Sequence, residues 1–435
     1  MEAHLIPNWT SGVRETYEFK TSVFTSDSGK EQRSALRMTP RRRVEFSSLL
    51  TETALRHFYA MMHNRRADVL TIPDPARRGM ILTRRAPAGS TTLHVDSIPP
   101  WMAVGIMIAL STFDRTEEAQ AASTASVGSF SQAFSSAFDI AAVGSGTIVL
   151  TNPLTVPWPE GSEIRPVIRG RLPESVSLQH HTDTSATVSV SFDLLNPTQM
   201  PILGGSAPRT FANREVLLAR PNWIAPPSVE LSSPIETVDY GRGITASFRS
   251  IDFFTRITQF TYSDRDVGDI SSIIGIFHRM KGRRGEFWSP SWTTDFLPAG
   301  PIIAGSTTFT VQDATLAADY SGSTVNRAIA ILKSDGEWIL RQVTGMTIAN
   351  AVAGGAFASA YDASFDSAPA SGNRYTRFTV SQEFGQTVPT TDIEMVCWLN
   401  VCRFASDTLT VEWLTDQVAR TVLNVMTLEN LPAET

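Results

Sequence analysis

The side chains able to do chemistry in this sequence are few, and their spacing argues against a reactive centre. His180 and His181 are adjacent in a strand-like run, where neighbouring side chains point to opposite faces, so they cannot converge on one metal ion. His57 and His63 fall six residues apart on a helical pattern, about 120° from a shared face. Cys397 and Cys402, the two cysteines, match neither a metal knuckle nor a disulfide framework and read as small buried apolar side chains made in a reducing compartment. Ser28-Gly29-Lys30 lacks the upstream glycine of a phosphate loop and is followed by Glu31, which makes it a turn. Gly-x-Ser-x-Gly, His-Glu-x-x-His and the dinucleotide fingerprint are all missing. Scattered carboxylates could still face each other across a cleft, the minimum a glycosidase needs. The reading is of a non-enzyme, with no catalytic, cofactor-binding or metal-binding residue.

The arginines are more informative. They come in sets: Arg41-Arg42-Arg43, Arg65-Arg66, Arg77-Arg78, Arg84-Arg85 and Arg283-Arg284. Such sets form a solvated face or intrachain salt bridges, or they mark an intersubunit surface, where the guanidinium fork fixes register against carboxylates. Recurrence of the pair at Arg283-Arg284 favours a role in shared architecture, so Arg65, Arg66, Arg283, Arg284, Arg41, Arg42 and Arg43 are the candidate subunit-interface residues. Net charge is −6, which argues against a dedicated nucleic-acid binder. Residues 1–100 carry +5 and the remainder −11, an asymmetry suited to packing one copy against another. Residues 1–5 have no basic region followed by an apolar core, and the apolar run 101–110 is far short of the about 20 residues that span a bilayer, so neither a signal peptide nor membrane insertion is expected.

Internal repetition organises the chain. Pro7-Asn8-Trp9 recurs as Pro221-Asn222-Trp223, and Ala88-Gly89-Ser90-Thr91-Thr92 recurs as Ala304-Gly305-Ser306-Thr307-Thr308. Leu55, Phe58, Tyr59 and Met62 form an apolar helical stripe at i, i+3, i+4, i+7, and Ile273, Ile276, Phe277 and Met280 repeat it. Asn64 and Gly282 stand at equivalent positions after the last turn, where a left-handed residue ends a helix. Ahead of each helix lies a hairpin pattern, turning at Ser26-Asp27-Ser28-Gly29 and at Gly241-Arg242-Gly243. After each Ala-Gly-Ser-Thr-Thr the pattern changes to short strands such as 106–110, 147–150, 328–332 and 338–343, the signature of a small barrel or sandwich.

These observations predict a mainly β chain that is a tandem duplication of one module. Residues 1–86 and 228–300 would be two copies of a β domain with one helix. Residues 87–195 and 301–435 would be two copies of a small β domain, and the Pro/Gly-rich segment 196–227 the linker. Segments 117–146 and 347–372, rich in Ala, Ser and Gly, are expected as surface loops or as adaptable contacts for a neighbouring subunit or fibre.

The stretch from Glu15 to Phe24, Arg33 through Pro40, and above all Gly282-Arg283-Arg284-Gly285-Glu286-Phe287-Trp288-Ser289-Pro290-Ser291-Trp292 resemble the distal tail proteins of long-tailed bacteriophages and prophages. The resemblance implies a tail-tube-like β-sandwich with one helix, assembling as a ring that joins tail tube to baseplate and continues the DNA channel. It implies a virion protein at the tail tip, assembled in the bacterial cytoplasm, with the tube protein, the baseplate hub and tail fibres as partners and DNA sliding through the lumen unbound. It implies no cofactor. Many such proteins carry one tube-like domain per chain, so a duplicated chain leads us to expect a homotrimer closing a pseudo-six-fold ring, with a hexamer as the alternative. The alternative from another class is a carbohydrate-binding or carbohydrate-active β-protein at the host surface, using Trp158, Trp338, Trp398 and Trp413.

Overall fold

Alternation of inward and outward side chains, largely apolar inside with Glu15 and Arg42 among the exceptions, runs through the core part of the first long hairpin. β1 (Val13–Thr25) turns Val13, Tyr17 and Phe19 inward and Arg14, Glu18 and Lys20 outward, and β2 (Glu31–Thr51) returns antiparallel to it. The computed structural model describes residues 5, 7–26, 29–65, 69–77, 79–99, 102, 104–111, 138–195, 208–233, 235–239, 241, 243, 245–249, 255–320, 323, 325–350 and 374–429. Strand dominates throughout, so the chain is mainly β as expected.

In the first half, α1 (Glu52–Arg65) follows β2 and leads to β3 (Leu70–Pro73) and β4 (Met80–Ile81). Then come β5 (Thr92–His94), β6 (Met107–Ser111), β7 (Phe138–Gly144) and β8 (Thr147–Leu150). The half closes with β9 (Glu163–Arg171), β10 (Ser177–His180) and β11 (Ser185–Leu194). β12 (Thr210–Phe211) and β13 (Arg214–Val216) connect to the second half. There β14 (Ser228–Ser232), β15 (Ile235–Asp239), β16 (Thr245–Arg249) and β17 (Thr255–Asp266) precede α2 (Val267–Met280) and β18 (Phe287–Pro290). Next are β19 (Thr308–Val311), the one-turn α3 (Leu316–Asp319), β20 (Ala328–Lys333), β21 (Trp338–Asn350) and β22 (Arg374–Val380). β23 (Ile393–Phe404), β24 (Thr408–Trp413) and β25 (Val418–Thr427) end it.

Pairing in the first half runs β3–β9–β11–β2–β1 with β10 beside β11. In the second half it runs β18–β23–β25–β17–β14 with β24 beside β25. The small strands pair β5–β8–β7–β6–β9 in one half and β19–β22–β21–β20–β23 in the other. β9 and β23 are long enough to serve both a small barrel and the main sheet. The two Ala-Gly-Ser-Thr-Thr segments do one job. Gly89 donates to the Leu154 carbonyl and Gly305 to the Phe384 carbonyl, each at 2.8 Å, both glycines with positive φ.

Five expectations are corrected. The small β domains do not own residues up to 195 and 435, because β10–β11 and β24–β25 return to the main sheet and pair with β2 and β17. The described part of the 196–227 linker is no free joint: β13 pairs in parallel with β18, and Val216 and Leu217 are buried. Residues 138–144 and 347–350 are strand, while 117–137 and 351–372 lie outside the described residues. On α1 the buried stripe is Leu55, Phe58 and Met61. Tyr59 is 46% exposed, its hydroxyl on His180 Nε2 at 2.8 Å, and Met62 is half-buried, because α1 lies against β2 and β11 with its Tyr59 edge turned outward beside β10. Asn64 sits inside α1, one residue before its end, whereas Gly282 does take φ +65 after α2.

α2 is buried more deeply. Asp266 caps it by accepting from the Asp269 backbone N–H at 2.8 Å, and Ile270, Ile273, Ile274, Ile276 and Phe277 are all buried, with Met280 half-buried. Phe277→Ala should cost about 3–5 kcal/mol and Tyr59→Ala under about 1 kcal/mol in urea denaturation of the unassembled chain. Equal costs would show that the two helices are covered alike. Phe58→Asp and Phe277→Asp, each placing a charge in the core, should abolish soluble folded protein, and a normal yield with an unchanged urea midpoint from either would contradict the burial.

Candidate functional site

The feature that organises this chain is the junction between its halves. β1 pairs on one edge with β2 and on the other with β24, Val13 opposite Trp413, Glu15 opposite Val411 and Tyr17 opposite Leu409. One antiparallel sheet therefore runs β10–β11–β2–β1–β24–β25–β17–β14 across both halves. Gly12 enters β1 at φ +69, and a Cβ there would stand 2.8 Å from the Trp413 carbonyl oxygen, so only glycine admits this close approach.

Beneath the pairing lies a sealed charge cluster. Glu15, at an inward position of β1, is fully buried and accepts from Arg42 Nε at 2.5 Å, from Arg77 at 3.1 and 3.2 Å, from Trp413 Nε1 at 2.9 Å and from the Tyr17 hydroxyl. Arg42 Nη2 also donates to Asp74 Oδ2 at 2.8 Å. Burial alone would push the Glu15 carboxyl up, but Arg42 and Arg77, with the Tyr17 and Trp413 hydrogen bonds, hold it down at about 2. Burial and the neighbouring Glu15 push the Tyr17 phenol up. His278, from α2, meets the Tyr17 ring edge-on at 4.9 Å, and its burial pushes the imidazole down to about 4.

The hairpin arm beyond Tyr17 clamps the second half. Phe19 packs edge-on against Phe277 at 5.6 Å. Asp407 accepts from the Thr21 backbone N–H at 2.7 Å, the Thr21 hydroxyl at 2.9 Å and the Arg283 backbone N–H at 2.9 Å. Arg403 forks onto Glu31 through two 2.7 Å bonds, with both side chains nearly buried. Arg33 reaches Glu286 and the Arg284 carbonyl.

Several expected interface arginines are accounted for inside the chain. Arg42 is 1% exposed and belongs to the buried cluster, which corrects its reading as an intersubunit residue; strand alternation turns it inward. Arg43 pairs with Asp193 at 2.7 Å on the surface, and Arg41 is exposed. Arg283 and Arg284 take part at the contact between halves through their backbones. Arg66 and the side chain of Arg65 lie outside the described residues. Spacing alone missed Glu15, Asp74, His278 and Asp407. The signal for Glu15 was present: a carboxylate in phase with Val13, Tyr17 and Phe19 demands a buried cationic partner.

His181 Nε2 lies 2.8 Å from the Thr187 hydroxyl, and among the described residues no group of three His, Cys, Asp or Glu is placed to hold a metal. Burial pushes the Cys397 and Cys402 thiols up to about 12. An open groove of about 390 Å³ above the junction contains Glu45 and Glu412, with Arg14 paired between them in the sheet. The Glu412 carboxyl is held below its ordinary range by Arg420, the opposite of what a general acid needs. Trp158, Trp338, Trp398 and Trp413 are all buried. No helix among the described residues is long and apolar enough to cross a membrane.

The junction should be acid-sensitive in two stages. His278 titrates below its ordinary 6.5 when folded, so stability is full above that value and falls as pH drops from 6.5 to about 4. Glu15 titrates below its ordinary 4.5, so a second loss runs from 4.5 towards about 2. His278→Gln should remove the first stage in urea titrations and keep the second; an unchanged upper stage would contradict the assignment. Glu15→Gln, leaving two buried guanidiniums short of a charge, should cost about 3–5 kcal/mol, and a loss under about 1 kcal/mol would contradict the cluster's role. No family model and no curated protein matches this chain.

Proposed function

We propose that the chain is two tandem copies of one assembly module and serves as a structural ring component of a bacteriophage tail, akin to the distal tail proteins it resembles. Support for the duplication comes from the shared pairing order of the halves. It comes also from repeated motifs in one role: Asn8 donates to the Ser47 carbonyl at 2.7 Å, and Asn222 to the Thr261 carbonyl at 2.9 Å.

The observation that carries the assembly reading is the junction itself. It joins β1 of the first module to β24 of the second, two different edges, and a contact between unlike surfaces propagates until it closes into a ring or extends as a filament. With six module positions around a tail tube, as the resemblance implies, three chains complete a pseudo-six-fold ring and can adapt a six-fold tube to a three-fold tip. In this reading the protein performs no reaction. It sits at the tail tip of the virion, contacts tube, hub and fibre proteins, and surrounds a channel for DNA, a role with which the chain's net charge of −6 is compatible, since like charge repels phosphate. The glycan-binding alternative loses support because the four tryptophans that would stack on sugars are core residues.

Native mass spectrometry with negative-stain imaging tests this. Closed particles of three chains with six lobes are expected; six chains per ring would overturn the pseudo-six-fold arrangement, and a chain that stays monomeric at high concentration would overturn the ring.

A further inference from the structure

The two halves differ most in what covers them. In the first half, β1 has a partner on each edge, and its hairpin arm is clamped on α2 and the Asp407 turn. In the second half the corresponding parts are bare. β14 matches β1, with Ser228 opposite Gln259 where Arg14 stands opposite Glu45, yet among the described residues β14 pairs only with β17. All five of its residues are exposed, Val229 at 45% and Leu231 at 61%. The β15–β16 hairpin, which matches the clamped arm, forms its own two-stranded sheet with Ile235 and Phe248 exposed. Isolated two-stranded hairpins are marginal in water, so this one is built to rest on something.

Among the described residues, the receiving surfaces of the opposite half lack these partners. β24, which takes β1, corresponds to β10: Val411 stands opposite Thr421 as Leu178 stands opposite Val188. Among the described residues β10 pairs only with β11, and its other edge is open. α2, which takes the clamped arm, corresponds to α1. Phe277 is 1% exposed beneath Phe19, whereas Tyr59, its counterpart on α1, is 46% exposed.

Resting on the tandem-module reading above, we infer that the open edge of β14 pairs antiparallel with the open edge of β10 in a second copy of this chain, repeating the β1–β24 junction between chains. Transferring the internal register fixes the partners. Val229 faces Leu178, Leu231 faces Val176 and Ser228 faces Gln179, where Glu15 faces Val411, Tyr17 faces Leu409 and Arg14 faces Glu412. The two exposed apolar residues of β14 thus meet the two half-buried apolar residues at 176 and 178. The β15–β16 hairpin of the same copy then lies over α1 of its neighbour and covers Tyr59. This junction is apolar where the internal one is charged, since Val229 stands in the place of Glu15.

Paired cysteines read the register directly, because opposed residues of antiparallel strands lie about 4.5–5.5 Å apart at Cα, within disulfide reach. Cys397 and Cys402 are buried and stay out of the reaction. Under mild oxidation the double variant Val229→Cys/Leu178→Cys should give a covalent ladder ending at the chain number of the ring, while Val229→Cys/Gln179→Cys, one residue out of register, should not. Leu231→Lys, a charge on an exposed edge, should weaken assembly at least tenfold in sedimentation with an unchanged far-ultraviolet spectrum. Closed rings without the Val229–Leu178 ladder, or equal ladders from both double variants, would overturn this edge pairing and leave the ring reading standing. Absence of any multichain species would overturn both.

Discussion

The antiparallel pairing of β1 with β24 is where two halves of a chain become one sheet, and most other features at the junction follow from it. A strand edge is a row of unpaired amides and carbonyls, and leaving it bare invites pairing with whatever edge is near. β1 and β24 satisfy one another, which forces the backbones together at Gly12 and brings Trp413 over the inward face of β1. It also carries the hairpin arm across to α2, where Phe19 and Thr21 find Phe277 and Asp407.

The buried charges explain why the pairing has a single register. Two carboxylates and two guanidiniums taken out of water gain little net stability, since desolvation offsets most of their attraction. They impose a heavy penalty on any other arrangement. A slip of one residue would turn Glu15 to the surface and Thr16 into the cluster, leaving Arg42 and Arg77 buried without a full complement of charge. The internal junction is in this account locked by charge during folding, whereas the proposed junction between chains, with Val229 and Leu231 in the corresponding places, is apolar and formed by association.

Much of the fold could be read from residue patterns. The two long helices, the long hairpin, the strands at 328–332 and 338–343, and the recurrence of Ala-Gly-Ser-Thr-Thr are local signals, and local periodicity carries them. Long-range pairing is not local. Nothing near residues 177–194 announces that they return to β2 rather than remain in the small barrel, and nothing near Arg42 says that it turns inward to Glu15. Tyr59 was misplaced for a related reason. An apolar stripe gives the width of a helix face, but how much of it is covered depends on elements far away in sequence: the β1 arm lays Phe19 on Phe277 of α2, whereas Tyr59 at the matching place on α1 stays 46% exposed.

In the arrangement proposed here, a junction built inside the chain is repeated between chains. A density map of the multichain species, at a resolution that separates strands, shows whether it is. The expected result is a sheet continuous through every module boundary, with boundaries inside and between chains alike and no open β14 or β10 edge. Particles whose chains touch through other faces, with those two edges still bare, would contradict it.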